Sequence, residues 1–144
     1  MGEDLALKGN MQKILVVEDD DDVRRITVRL LKDLNYDVME ANDGPGALRK
    51  LSELDDSNTD VDLVFSDVVM PFGMNGIDLS IAIWGKYPST PVVLTSGYPE
   101  KVLRDAGLGE EDLRQIKVIR KPYTRQALSE AMAEVLNPKA SSRL

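Results

Sequence analysis

A chain of 144 residues that is 42% hydrophobic has enough apolar material for one domain with its own core. Its formal net charge of -7 and pI near 4.6 argue against general binding to nucleic-acid phosphates, which needs clustered Lys and Arg, and favour a cation or a basic partner surface. Cysteine and histidine are both absent, which removes disulfides, thiol chemistry, histidine triads, the usual zinc sites and any phosphohistidine on this chain itself.

Residues 1–11 show no hydrophobic period and contain Gly2, Gly9 and Asn10, so a flexible lead-in is expected there. The opening MGEDLALKGN lacks a basic n-region and an apolar h-region, and no later apolar run approaches the ~20 residues that span a bilayer. A cytoplasmic protein without membrane contact is the expectation. The ordered pattern predicts one domain over 12–137, followed by a flexible tail at 138–144. Short apolar runs predict strands at Ile14–Val17, Tyr36–Met39, Val61–Phe65, Val92–Leu94 and Ile116–Ile119; near-continuous runs of this kind suit parallel strands covered on both faces.

Amphipathic stretches alternate with these strands. Val23, Ile26, Leu30, Leu31 and Leu34 mark the apolar face of a first helix, and Ala47, Leu48, Leu51 and Leu54 that of a second. Ile77, Leu79, Ile81, Ala82 and Ile83 mark a third. Ala127, Leu128, Ala131, Met132, Val135 and Leu136 mark the last, stopped by Asn137 and Pro138. Between Thr95 and Lys121 the expected helix is interrupted by Gly97, Pro99, Gly107 and Gly109. Periodic fragments survive only around Lys101–Leu103 and Glu111–Leu113, so a reduced or irregular fourth helix is predicted. The alternation points to a single α/β domain with an open parallel sheet.

In such sheets ligands bind at the carboxyl ends of the strands. The first strand runs into Glu18 and Asp19, the third into Asp67, the fourth into Thr95 and Ser96, and the fifth into Lys121. Three converging carboxylates repel unless a cation binds them or some take up protons. Oxygen-only ligands select a hard ion, and Mg²⁺ is the usual one beside phosphate. An ionised Asp67, with Lys121 and Thr95 to receive phosphoryl oxygens, has the parts for phosphoryl transfer to a carboxylate. Asp20, Asp21 and Asp22 are read more simply, as acids favoured at a helix N-terminus. An EF-hand loop is excluded there because Arg24 follows Val23 where a glycine is required.

ILVVEDD at Ile14–Asp20, LVFSDVVMP at Leu63–Pro71, GMNGIDL at Gly73–Leu79, VVLTSGY at Val92–Tyr98 and IRKPY at Ile119–Tyr123 together resemble the receiver domain of two-component response regulators. The resemblance implies a flavodoxin-like, doubly wound five-stranded sheet of order 2-1-3-4-5 over residues 12–137. It implies that Asp67 accepts a phosphoryl group from a histidine kinase or a histidine phosphotransfer protein. It further implies Mg²⁺ held by Glu18, Asp19, Asp67 and the main-chain carbonyl of Val69, with Thr95 and Lys121 binding the phosphoryl group and a cis Lys121–Pro122 bond. Expected partners are that phosphodonor protein, a downstream protein target and, as a further option, a second copy in a homodimer.

Three departures from the family pattern matter. The position that often carries an aromatic switch is Val118, so the output must be coupled another way. TSGY and the interrupted fourth helix are similar to receivers of single-domain regulators and hybrid kinases, which makes Tyr98 a candidate signalling residue. Val69 and Gly97, placed where a polar side chain often orients a hydrolytic water, offer none, so slow self-dephosphorylation is expected rather than enzymatic turnover of a separate substrate. No output domain is expected after Pro138. The chain would dock to a target, relay the phosphoryl group, or form one domain of a larger kinase. Two rivals are a pseudo-receiver that acts without phosphorylation and a phosphatase of the haloacid-dehalogenase type; the latter needs an acid at the position of Val69.

Overall fold

The computed structural model describes residues 7–137. The expected tail at 138–144 and the first six residues of the expected lead-in lie outside the described residues. The elements run β1 (Lys13–Val17), α1 (Asp21–Asp33), β2 (Asp37–Ala41), α2 (Gly44–Asp56), β3 (Leu63–Asp67), α3 (Gly76–Lys86), β4 (Val92–Ser96), α4 (Pro99–Asp105), α5 (Glu110–Gln115), β5 (Ile116–Arg120) and α6 (Arg125–Leu136). All strand pairs are parallel, in the order β2-β1-β3-β4-β5. This is the flavodoxin-like arrangement, with the reversal of winding between β1 and β3.

Strand alternation divides the core into two layers. Ile14, Val16, Leu63, Phe65 and Val93 face α1 and α6 in a cluster with Leu31, Leu34, Leu128 and Met132. Leu15, Val17, Val64, Val92 and Leu94 face α2 and α3, with Ala47, Leu51, Leu79, Ile83 and Trp84. The central strands are therefore apolar on both sides, which is why they read as unbroken hydrophobic runs. Trp84 keeps its polar edge satisfied by donating Nε1–H to the carbonyl of Thr90 at 2.8 Å.

Two strands begin later than their apolar runs predict. Tyr36 belongs to the turn: its N–H donates to Leu31 O while its ring is only 2% exposed, so β2 starts at Asp37, in register with Lys13. Val61 and Asp62 precede β3, because the Asp62 carboxylate accepts the Lys13 N–H at 2.8 Å and occupies the start of the ladder. The end of the expected lead-in is hydrogen-bonded: Gly9 N–H donates to Leu34 O at 2.7 Å and Met11 N–H to Asn35 O at 2.8 Å. The first helix also departs from its expected face. Val23 and Ile26 are 41% and 61% exposed, whereas Thr27, Val28 and Leu31 are buried. Val23 instead lines a small pocket at the carboxyl edge of the sheet, and the inward face of the helix is carried by Thr27, Val28 and Leu31.

Helix starts follow local capping chemistry. Asp20 accepts the N–H groups of Asp22 and Val23, and Asp21 and Asp22 pair with Arg24 and Arg25 at i,i+3. Asn75 and Asp78 form a reciprocal capping box on α3. The interrupted fourth helix resolves into two short helices, α4 of seven residues and α5 of six, and neither contains a buried residue.

Gly76 fixes where α3 begins relative to the site. Its N–H donates to Val68 O at 2.7 Å, and a Cβ built there would lie 2.7 Å from Asp67 O and 2.9 Å from Leu94 Cδ2. Because one of those obstacles is backbone, a side chain cannot simply move aside. Gly76→Ala is expected to destabilise the fold by ~1–3 kcal/mol, the usual cost of overpacking, read as a lower urea midpoint with an unchanged slope. A midpoint equal to that of the wild type would contradict this tight approach.

Candidate functional site

The carboxyl edge of the sheet gathers four chemical groups because four strands end there. β1 delivers Glu18, β3 ends on Asp67, β4 carries Thr95 in register with Asp67, and Lys121 follows the last residue of β5. The cis Lys121–Pro122 bond is present as expected. Lys121 Nζ donates to Asp67 Oδ2 at 2.5 Å, across 54 residues of sequence. The two side chains are 37% and 11% exposed, so the contact is shielded at the acid end and open at the amine end. The other oxygen, Asp67 Oδ1, accepts the N–H of Val69 at 3.1 Å. Asp67 is thus oriented by one ammonium and one backbone donor.

A cavity of about 40 Å³ lies beside this contact, lined by Glu18, Thr27, Asp67, Thr95, Lys121 and Tyr123 among others. That is room for a small ion or a few waters, not for an organic substrate. A larger cleft of about 340 Å³, beside Leu51, Asp62, Tyr87 and Pro91, lies at the opposite end of the sheet and shares no residue with this pocket.

Glu18 is buried, at 7% exposure. Burial pushes its carboxyl from the ordinary 4.5 to about 7; hydrogen bonding with Asp19 and the charge of Asp67 add to the rise, while the Asp20 N–H at 3.1 Å and the Lys121 charge oppose it. A second cation near this corner would therefore relieve a real electrostatic cost. Asp19 itself is exposed, and Val69 is 76% exposed. Among the described residues, no three His, Cys, Asp or Glu side chains form a ready-made metal cage. The donor set is all oxygen, coupled in charge, and open on the Asp19 and Val69 side. This suits an ion that retains several waters and takes only one or two carboxylates from the protein.

Two wall residues escape a strand-end reading of the sequence. Thr27 Oγ1 and Tyr123 Oη lie 3.1 Å apart, joining α1 to the segment after β5. The Tyr123 ring packs edge-on against Phe65 with centroids 6.1 Å apart, and burial raises its phenol above the usual range. Thr27 stands on the apolar face of α1, four residues after Val23 and four before Leu31, so its sequence signal is a hydroxyl at a position where the helical period calls for an apolar side chain. Of the expected site residues, Glu18, Asp67, Thr95 and Lys121 line the pocket, whereas Asp19 and Val69 are exposed and do not line it. Val118 lies half-buried against the α2–α3 layer, and Tyr98 is 73% exposed at the start of α4.

Comparison with known proteins gives a consistent result. The family model of the response regulator receiver domain matches residues 14–133. Chemotaxis protein CheY1 of Helicobacter pylori (strain J99) is 34% identical over 129 residues, covering 86% of this chain and 96% of CheY1. Sensor kinase CckA of Brucella abortus (strain 2308) is 34% identical over 128 residues, covering 85% of this chain but 12% of CckA, so the match spans a small part of that kinase. The solved structure of response regulator protein TrrA from Thermotoga maritima, in complex with Mg(2+)-BeF, has a TM-score of 0.71 at 25% identity, over 88% of this chain and 100% of TrrA. No helix among the described residues is long and apolar enough to cross a membrane.

The raised Glu18 carboxyl has a signed consequence for stability. A folded-state value above the unfolded one stabilises the fold below the ordinary carboxylate range, and that contribution is lost as pH rises through about 7. In metal-free protein, Glu18→Gln is expected to match the wild type near pH 4. At pH 8 it should exceed the wild type by on the order of 2 kcal/mol. Denaturant titrations at the two pH values check this; equal gains at both would show that Glu18 is not strained by charge.

Proposed function

This chain belongs to the response regulator receiver domain family, and on that premise we propose that Asp67 accepts a phosphoryl group from a phosphohistidine of a partner kinase or phosphotransfer protein. The observation that carries the reading is the shielded Lys121–Asp67 contact at the end of a central strand, beside buried Glu18 and in register with Thr95. The bond from phosphorus to the imidazole nitrogen breaks as an Asp67 oxygen bonds to phosphorus, and the imidazole keeps the electron pair. Lys121 then exchanges Asp67 Oδ2 for a phosphoryl oxygen, and the Thr95 hydroxyl donates to another. No proton need be removed from Asp67, because it attacks as the carboxylate.

Mg²⁺ fits the donor set, with Glu18, Asp19, Asp67 and the main-chain carbonyl of Val69 as its proposed ligands. When bound it would supply positive charge to the carboxylates and to the phosphoryl oxygens. The complex of TrrA with Mg(2+)-BeF supports this assignment. On the same reading the chain works in the cytoplasm, receives its phosphoryl group from a protein partner, and passes its state to a downstream protein target. Self-association into a homodimer remains part of the proposal. A phosphatase of the haloacid-dehalogenase type is disfavoured because Val69 stands where its second acid is required.

Dephosphorylation is expected to be slow. Val69 and Gly97 flank the acceptor without a polar side chain that would orient an attacking water. Two measurements test the proposal. Incubation with acetyl phosphate and Mg²⁺ should add one acid-stable, base-labile phosphoryl group by intact mass, and Asp67→Asn should abolish the gain; no gain in the wild type would favour a phosphorylation-independent interaction module. After removal of the donor, the phosphoryl group should persist for minutes or longer, and loss within seconds would contradict the assignment of Val69 and Gly97.

A further inference from the structure

We infer that Arg120 is a positioning residue that ties the state of Asp67 to α4; the inference rests on Asp67 being the phosphoacceptor. Arg120 and Lys121 are consecutive, yet they engage different partners. Lys121 Nζ holds Asp67 Oδ2, and the Lys121 N–H donates to Ser96 O at 2.9 Å. Arg120, paired in register with Ser96, sends its guanidinium to the opposite side of the same loop. Its Nη1 donates to Gly97 O at 3.0 Å, and its Nη2 donates to both carboxylate oxygens of Glu100, at 2.8 and 3.0 Å. One planar group therefore spans the segment just after Thr95 and the first turn of α4.

Apart from the Tyr98 N–H, which donates to Ser96 Oγ at 3.0 Å, and the half-buried Val102, α4 has few other ties. It has no buried residue, its N-cap Tyr98 provides no side-chain cap hydrogen bond, and the following α5 has no buried residue either. A short helix without an apolar anchor takes its position from polar contacts and opens easily. The Arg120 and Glu100 side chains are 57% and 74% exposed. An exposed pair of this kind is weak, which suits a contact that is rearranged in use rather than a permanent brace.

The chain path makes the coupling mechanical. A phosphoryl group on Asp67 draws Lys121 off Oδ2 and draws Thr95 toward a phosphoryl oxygen. Arg120 is one peptide from Lys121, and Gly97 is two residues beyond Thr95. Both ends of the guanidinium bridge therefore shift when the site is filled, and α4 shifts with them. Val118, two residues earlier in β5, has no polar atom and is packed with the α2–α3 layer, so it offers no comparable link.

The test is hydrogen exchange over residues 98–105 of the full chain, with and without acetyl phosphate and Mg²⁺, in wild type, Arg120→Ala and the charge swap Arg120→Glu with Glu100→Arg. Phosphorylation of the wild type should change exchange in α4 several-fold. Arg120→Ala should take up the phosphoryl group to wild-type extent by mass, while its phosphorylation-dependent change in α4 falls below about two-fold, in line with the loss of one exposed pair. The swap rebuilds the pair with position 100 but not the donation to Gly97 O, so it should recover only part of that change. A full wild-type response in Arg120→Ala would overturn the inference. If the wild type takes up no phosphoryl group, the acceptor reading fails separately. The clamp would then be judged on resting protein, where Arg120→Ala must raise α4 exchange; no change overturns it.

Discussion

The contact between Lys121 Nζ and Asp67 Oδ2 is the constraint around which this structure is arranged. An acid and an amine 54 residues apart meet because β3 and β5 flank β4 in a parallel sheet and end at the same edge. The acid end is shielded, so the pair is stronger than a surface ion pair, while the open amine end leaves Lys121 free to exchange partners. Everything nearby serves that geometry. Gly76 lets α3 start within contact of the Asp67 carbonyl, and the Val69 N–H holds the second carboxylate oxygen.

The electrostatics of the corner are deliberately incomplete. Glu18 is buried beside Asp67 and Asp19, and its carboxyl is pushed up to about 7 mainly by burial. A fold selected only for stability would place an apolar residue there. The retained acid is the feature that the proposed Mg²⁺ would account for, by adding positive charge beyond the one Lys121 supplies. The pocket's volume of about 40 Å³ has room for nothing larger than a small ion or a few waters. The reaction partner, by contrast, must bring its own binding surface.

The deeply packed and thinly packed parts of the molecule are segregated. β1, β3 and β4 are buried on both faces, and α1, α2, α3 and α6 each contribute buried residues to one of the two layers. α4 and α5 contribute none, and the start of α4 is tied by the Arg120–Glu100 pair and by the Tyr98 N–H to Ser96 Oγ. A charge change at Asp67 thus meets a stiff lever on one side and a loosely held element on the other. On the inference drawn above, that asymmetry would let α4 change position without any aromatic residue at position 118.

The amino-acid sequence by itself determined the element order, the two-sided burial of the strands and the irregular fourth helix, because each depends on local periodicity and on glycine and proline placement. It also determined which residues stand at the strand ends, and hence Glu18, Asp67, Thr95 and Lys121 as a set. Tertiary structure alone decided the rest. Tyr36 and Val61 look like strand residues until the turn bond to Leu31 O and the Asp62–Lys13 bond fix where the ladders begin. Val23 and Ile26 look like core residues until the rotation of α1 on the sheet turns Thr27, Val28 and Leu31 inward and leaves the first two exposed. The Thr27–Tyr123 and Arg120–Glu100 contacts join residues 96 and 20 positions apart, and no periodicity encodes a distance of that kind. Local pattern follows from neighbouring side chains, whereas such pairings exist only once the sheet has brought remote segments to one edge.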